Sequence, residues 1–254
     1  MSPMTRLINL EIYAFILVFL RLGAAFMVMP GFMSSYVNTR VRLCIALAVT
    51  FVTTPLIADK IPLPTGQTDE IIRFCLFEIA YGIFLGFIMQ MIFQAINLAG
   101  NIAGQATGFS NAQTFNPSFQ TQSIVLETFL SLIALVVVFV TDLHHLMLSA
   151  AIESYRIFPF GVELPTDNMA DLLSHTLNQS FILGFKIGSP FIAFTIIFYS
   201  GMGLVSRLMP QLNIFFLSLP LQIYLGLGVL FLTFPIMILW FVRYFESELQ
   251  PLVK

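Results

Sequence analysis

Five neutral amides, Gln90, Gln94, Asn97, Asn101 and Gln105, follow one another at steps of 4, 3, 4 and 4 residues. Helical spacing puts all five on one face. An amide donates and accepts hydrogen bonds without carrying charge. Such a stripe can serve water, a neighbouring subunit or a pore. Beyond it lies a second group, the uncharged run Gly108-Phe-Ser-Asn-Ala-Gln-Thr-Phe-Asn-Pro-Ser-Phe-Gln-Thr-Gln122. It interleaves Phe109, Phe115 and Phe119 with Asn111, Gln113 and Asn116. No salt bridge can pin this run. Its amides can bond passing backbone with little preference for sequence. Its three rings can pack to block a hole and then part. Those properties suit a movable plug for varied polypeptides. The residues alone equally allow an ordinary polar connection whose rings dock on neighbours.

The charged side chains are few and placed among apolar residues. Arg21 interrupts the first apolar run, and Glu78, Glu127, Asp142 and Lys186 lie within or at the edge of later ones. A charge at the centre of a membrane helix costs roughly 2.5–3.5 kcal/mol on insertion scales. Arg21, Glu78, Glu127 and Lys186 are therefore expected to be buried against a partner or a cavity. A proton or ion pathway and a structural ion pair both remain open. His144-His145 follows Asp142. Adjacent helical side chains diverge by about 100°, which argues against a shared metal. No His-x-x-x-His or Cys-x-x-Cys pair supports one, so a polar helix end is expected and no metal site. Nucleophile elbow, phosphate loop and zinc-protease motifs are all absent. Neither catalysis nor a cofactor is expected.

Composition sets the class. Of 254 residues 58% are hydrophobic and 9% charged, and mean hydropathy is +0.92. Soluble domains carry about 25% charged residues. The deficit points to a polytopic membrane protein, and a net charge of −2 gives no basic field for nucleic acid. Phe occurs 28 times and Trp once. Interface belts favour Trp and Tyr, so the phenylalanines read as packing or lumen material. Cys44 and Cys75 sit in apolar segments and read as buried packing thiols. Arg6 ahead of an apolar run suggests a signal peptide, but Glu11 and Arg21 interrupt it and more spans follow. A retained first helix is expected.

The elements that must position these residues are six apolar segments: Ile8–Met29, Val41–Ile57, Ile71–Ala103, Ile124–Leu148, Phe181–Leu204 and Leu212–Phe241. The fold class is all-α, a multi-pass membrane protein with kinked and broken hairpins. The third segment would be about 50 Å long at 1.5 Å per residue. A hydrocarbon core is about 30 Å thick. The second segment is short. Tilting, kinking or burial in protein must absorb the mismatch. Pro190 is expected to interrupt the fifth segment, and Pro220 and Pro235 the sixth. The connection after the fourth is expected to hold a short helix at Thr166–Leu173. Gly82 with Gly86, and Gly100 with Gly104, step by four and would permit close helix approach. Arg40, Arg42 and Arg207 mark the first and fifth connections, while the second and fourth are net acidic. Positive charge favours the cytoplasmic side, which puts both termini outside.

Taken in order, several short pieces resemble the FliR/SpaR family of type III secretion export-apparatus proteins. They are Arg21 through Pro30, Val37-Asn-Thr-Arg-Val-Arg42, Gly100-Asn-Ile-Ala-Gly-Gln-Ala-Thr-Gly-Phe-Ser110 with Asn116-Pro117, and His144-His145. Tyr155-Arg156-Ile-Phe-Pro159, Lys186 ahead of Pro190, Arg207-Leu-Met-Pro-Gln-Leu-Asn-Ile-Phe215 and Leu219-Pro220 complete the set. Thr141-Asp142-Leu143 departs from the small neutral residues expected there. The resemblance covers nearly the whole chain. It implies a single-copy subunit of a helical export gate with FliP-, FliQ- and FlhB-like membrane proteins. Residues 1–175 would be FliP-like and 176–254 a FliQ-like hairpin, within one export-gate domain spanning 1–254. It also implies unfolded export substrates, an inner-membrane location and a cone lifted partly out of the bilayer, with lipid contact. Flagellar secretion is favoured over the virulence type. On this reading Phe109, Phe115, Phe119, Asn111, Gln113 and Asn116 form the plug. Gln90, Gln94, Asn97, Gly100, Asn101, Gly104 and Gln105 face the pore or subunit neighbours. A small-solute secondary transporter is the rival reading, and an intramembrane enzyme a distant third.

Overall fold

Backbone amides cannot stay unpaired in hydrocarbon, so an apolar chain closes its hydrogen bonds within helices. The computed structural model describes residues 3–32, 37–57, 60–62, 68–108, 125–161, 165–209, 211 and 214–253. Among them the helices are α1 (Pro3–Val28), α2 (Thr39–Ile57), α3 (Thr68–Ala106), α4 (Val125–Val140), α5 (Leu143–Ile157), α6 (Thr166–Leu208) and α7 (Ile214–Val253). α1, α2, α3, α6 and α7 are long and apolar enough to cross a membrane, and the bent pair α4–α5 could make a sixth span. The six apolar segments thus appear as helices, with three corrections. The fourth segment is two helices, broken at Asp142, which adopts left-handed φ 58°. Short polar side chains tolerate that region better than apolar ones, which is why the break falls on Asp. The short helix expected at Thr166–Leu173 is instead the first part of α6. Finally, Pro190, Pro220 and Pro235 lie inside continuous helices. Pro190 leaves the Lys186 carbonyl without its helical donor. Ser189 Oγ donates to that carbonyl at 2.8 Å and so satisfies it.

The chain divides into two compact units that share α3, α6 and α7. The first comprises Met1–Ile92, Asp142–Thr176 and Glu246–Lys254. There α1 packs along α2 and touches α5. Gly82 and Gly86 of α3 lie directly against α1. A Cβ on Gly86 would come within 2.8 Å of both the Ala25 carbonyl and Val28 Cβ, and one on Gly82 would strike the Arg21 carbonyl. The four-residue step therefore marks a close helix crossing. Leu17, Leu22 and Phe26 of α1 and Leu85, Ile88 and Met89 of α3 fill the core.

The second unit comprises Phe93–Thr141 and Leu177–Phe245. Gly100 admits α4: a Cβ there would lie 2.7 Å from Glu127 Cα. Gly184 and Gly188 of α6 accept Leu98 and Ile102 of α3 in the same way. Phe93 meets Phe241 edge to face, centroids 5.8 Å apart, and Ser180 bonds Tyr244 at 3.0 Å. Phe181, Ile197, Phe231 and Trp240 remain exposed on α6 and α7.

Candidate functional site

Two polar constellations are built into these apolar helices, one in each unit. The first centres on Arg21. Its guanidinium is fully buried and faces Glu78, 1% exposed, across the α1–α3 crossing. Nε donates to Oε2 at 2.6 Å and Nη2 to Oε1 at 2.9 Å, a bidentate pair. Nη1 donates to the Phe158 carbonyl at 2.9 Å and reaches Ser154 Oγ at 3.5 Å. Arg21 Cζ also lies 4.1 Å from the Tyr155 ring centroid, 4.9 Å from Tyr81 and 5.4 Å from Phe160. Rings present negative faces to a cation, so they stabilise it where water cannot. Tyr155 Oη donates to the Val18 carbonyl at 3.4 Å. The group joins α1, α3 and α5, and each nitrogen of the guanidinium has a partner. That is the condition under which a buried charge is tolerated.

The second constellation is a ladder of amides on α3. Asn97 Nδ2 donates to Gln94 Oε1 at 2.7 Å, and Gln105 Nε2 to Asn101 Oδ1 at 2.6 Å. Asn101 Nδ2 reaches Glu127 Oε2 of α4 at 3.2 Å. Ser131 Oγ sits between Asn97 Oδ1 and the Glu127 carbonyl, and its single proton serves one of them. Gln94 and Gln105 are exposed, and Asn97 and Asn101 half-buried. The stripe thus divides. Its middle bonds α4, while Gln94 and Gln105 present polar edges outward. Gln90, half-buried, keeps Oε1 buried without a hydrogen bond. Gly100 and Gly104 are both buried.

At the end of α3, Gln222 of α7 closes the unit. It is 2% exposed and donates through Nε2 to the Ala106 carbonyl at 2.8 Å, with Tyr199 Oη 3.4 Å away. Gly226 packs against Thr107, where a Cβ would lie 2.9 Å from Thr107 Cα. Gly108, at φ +76°, ends the helix beside Gln222. The six plug residues Phe109, Asn111, Gln113, Phe115, Asn116 and Phe119 lie outside the described residues.

Other expectations change. Arg21 and Glu78 are buried, but Glu127 is half-buried and Lys186 exposed. Gly184 and Gly188 face α3, and Lys186, midway between them, takes the opposite side of α6. Cys44 is exposed and Cys75 only partly covered, so neither is a core thiol. Asp142, His144 and His145 also come together, with ligating atoms within 4.8 Å of one another. Side-chain torsions bring the two imidazole centroids to 4.1 Å, closer than the 100° divergence of adjacent helical positions suggests. Sequence reasoning missed Ser131, Tyr199 and Gln222. Only Gln222 left a signal, a lone amide in the apolar stretch between Pro220 and Gly226.

Long apolar helices enclosing an ion pair and an amide ladder define a multi-pass helical membrane protein. The profile of "Bacterial export proteins, family 1" matches residues 12–247, and the chain belongs to that family. It is 37% identical over 241 residues to the flagellar biosynthetic protein FliR of Caulobacter vibrioides, covering 93% of this chain and 94% of that protein. The FliR of Bacillus subtilis is 29% identical over 216 residues, covering 83% and 82% respectively. That of Aquifex aeolicus is 25% identical over 232 residues, covering 91% and 89%.

Proposed function

We propose that this chain is a structural and gating subunit of a flagellar type III protein-export channel. Membership of an export family over nearly its whole length is the observation that carries the reading. One copy would assemble with FliP-, FliQ- and FlhB-like proteins in the bacterial inner membrane, at the flagellar basal body. It would perform no chemistry. Residues 1–175 would pack as a FliP-like part and 176–254 as a FliQ-like hairpin. The exposed Gln94 and Gln105 and the exposed apolar faces of α6 and α7 suit neighbouring subunits around a conduit. Phe109, Phe115 and Phe119, with Asn111, Gln113 and Asn116, would close the lumen to small solutes and yield to unfolded flagellar subunits. Support comes from the run's lack of charge and from its firmly held approach at Thr107 and Gly108.

Two measurements test this. Native mass measurement of the gently extracted protein should find one copy with several different small membrane proteins. A lone chain or a symmetric homo-oligomer would instead indicate a solute transporter. Deleting Gly108–Gln122 should leave the assembly intact but make it conduct small ions. Conductance at the intact level would remove the plug role.

A further inference from the structure

We propose that Asp142, His144 and His145 form a surface site for one divalent transition-metal ion of the zinc class. The site belongs to the first compact unit. It is a three-ligand set, with the ligating atoms within 4.8 Å of one another. A zinc ion bonds imidazole nitrogen and carboxylate oxygen at roughly 2.0–2.2 Å, so ligand atoms around it stand a little over 3 Å apart. Small torsional adjustments of the exposed Asp142 and His145 side chains toward the half-buried His144 bridge that difference.

Three features of the turn favour coordination over an accidental grouping. First, Asp142 is the N-cap of α5 but makes no side-chain capping bond. Its carboxylate is directed instead at the imidazole, with Oδ1 3.6 Å from His145 Nδ1. Second, the imidazoles lie side by side, centroids 4.1 Å apart and planes tilted by 34°. Within a helix the preceding turn restricts side-chain torsions, whereas in the first turn of α5 that obstruction is missing. Third, protein atoms leave the Asp142 and His145 side chains 76% and 69% exposed, with His144 half-buried beside them. A helix N-terminus repels cations, and the carboxylate at the cap opposes that repulsion.

Two imidazoles and one carboxylate suit zinc, nickel and copper over magnesium or calcium, which prefer sets of oxygen ligands. Water would complete the coordination. All three ligands fall within four consecutive residues, so the ion would stiffen the first turn of α5. Among the described residues, Asp142 is the only non-glycine residue with positive φ.

The test uses the full chain, extracted with its partners, stripped with a chelator and carrying no histidine tag. Zinc is titrated calorimetrically, and copper is added for electron paramagnetic resonance. One zinc ion per chain should bind. The His144→Ala and His145→Ala variants should each weaken binding by about tenfold or more through loss of one ligand. Asp142→Asn, which keeps the left-handed turn, should weaken it less. The copper spectrum should show coupling to two nitrogens in the wild type and one in each histidine variant. Unchanged zinc affinity in the His144→Ala/His145→Ala double variant would overturn the site. So would a wild-type copper spectrum without two coupled nitrogens. Unchanged helical circular dichroism keeps a folding defect from imitating a lost ligand.

Discussion

The Arg21 cluster and the amide ladder solve one problem in different ways. Both put polar side chains between apolar helices. The Arg21 cluster uses full charges, is buried, and joins three helices. The ladder uses neutral amides and leaves its ends exposed. A buried charge that loses its partner is a large defect, so the first arrangement locks a single geometry. An amide that loses its partner can turn to water or to another amide. The second arrangement is therefore able to exchange partners, as a subunit seam or conduit wall requires. A rigid first unit and a more adaptable face on the second follow from that chemistry.

The largest effect that could break this contrast comes from Arg21. Arg21→Ala strands Glu78 in the core and should cost about 3–5 kcal/mol, read as thermal unfolding in detergent. Replacing both partners, as Arg21→Met with Glu78→Leu, should recover much of the loss. If the double variant were no better than the single one, the pair would not be acting as a unit. Next comes Gln222→Leu, which removes the donor to a buried carbonyl and should cost about 1–3 kcal/mol. Hydrogen exchange would locate the loss at the end of α3, and protection unchanged there would show that the cap is dispensable. The smallest effect belongs to the ladder. Asn101→Ala should change stability by only about 0.5–1.5 kcal/mol, because Glu127 is half-buried and retains access to water. A loss as large as that from Arg21→Ala would erase the distinction between the two regions.

The pairings explain why the sequence was legible in part. A four-residue glycine step is a property of one helix surface, so Gly82 and Gly86 marked a close helix approach in advance, while its partner, α1, came from the packing. The same holds for the amide face of α3. Prolines were misleading because their effect depends on neighbours. Ser189 meets the carbonyl that Pro190 leaves, and only the built helix reveals it. Lys186 was expected inside because apolar residues surround it in sequence. The packing of Gly184 and Gly188 turned it outward.

Hydrophobic run length, scarcity of charge and periodicity depend on backbone geometry within a few residues, and the sequence by itself determined them: helices, membrane class, and which face of each is polar. Partner choice depends on which faces meet across gaps in sequence. Tertiary structure alone decided that Arg21 would find Glu78, 57 positions away, and that Gln222 would reach back 116 positions to Ala106. It also decided that two neighbouring histidines would converge. A hydrogen bond needs its groups within about 3 Å, and only packed helices supply that proximity.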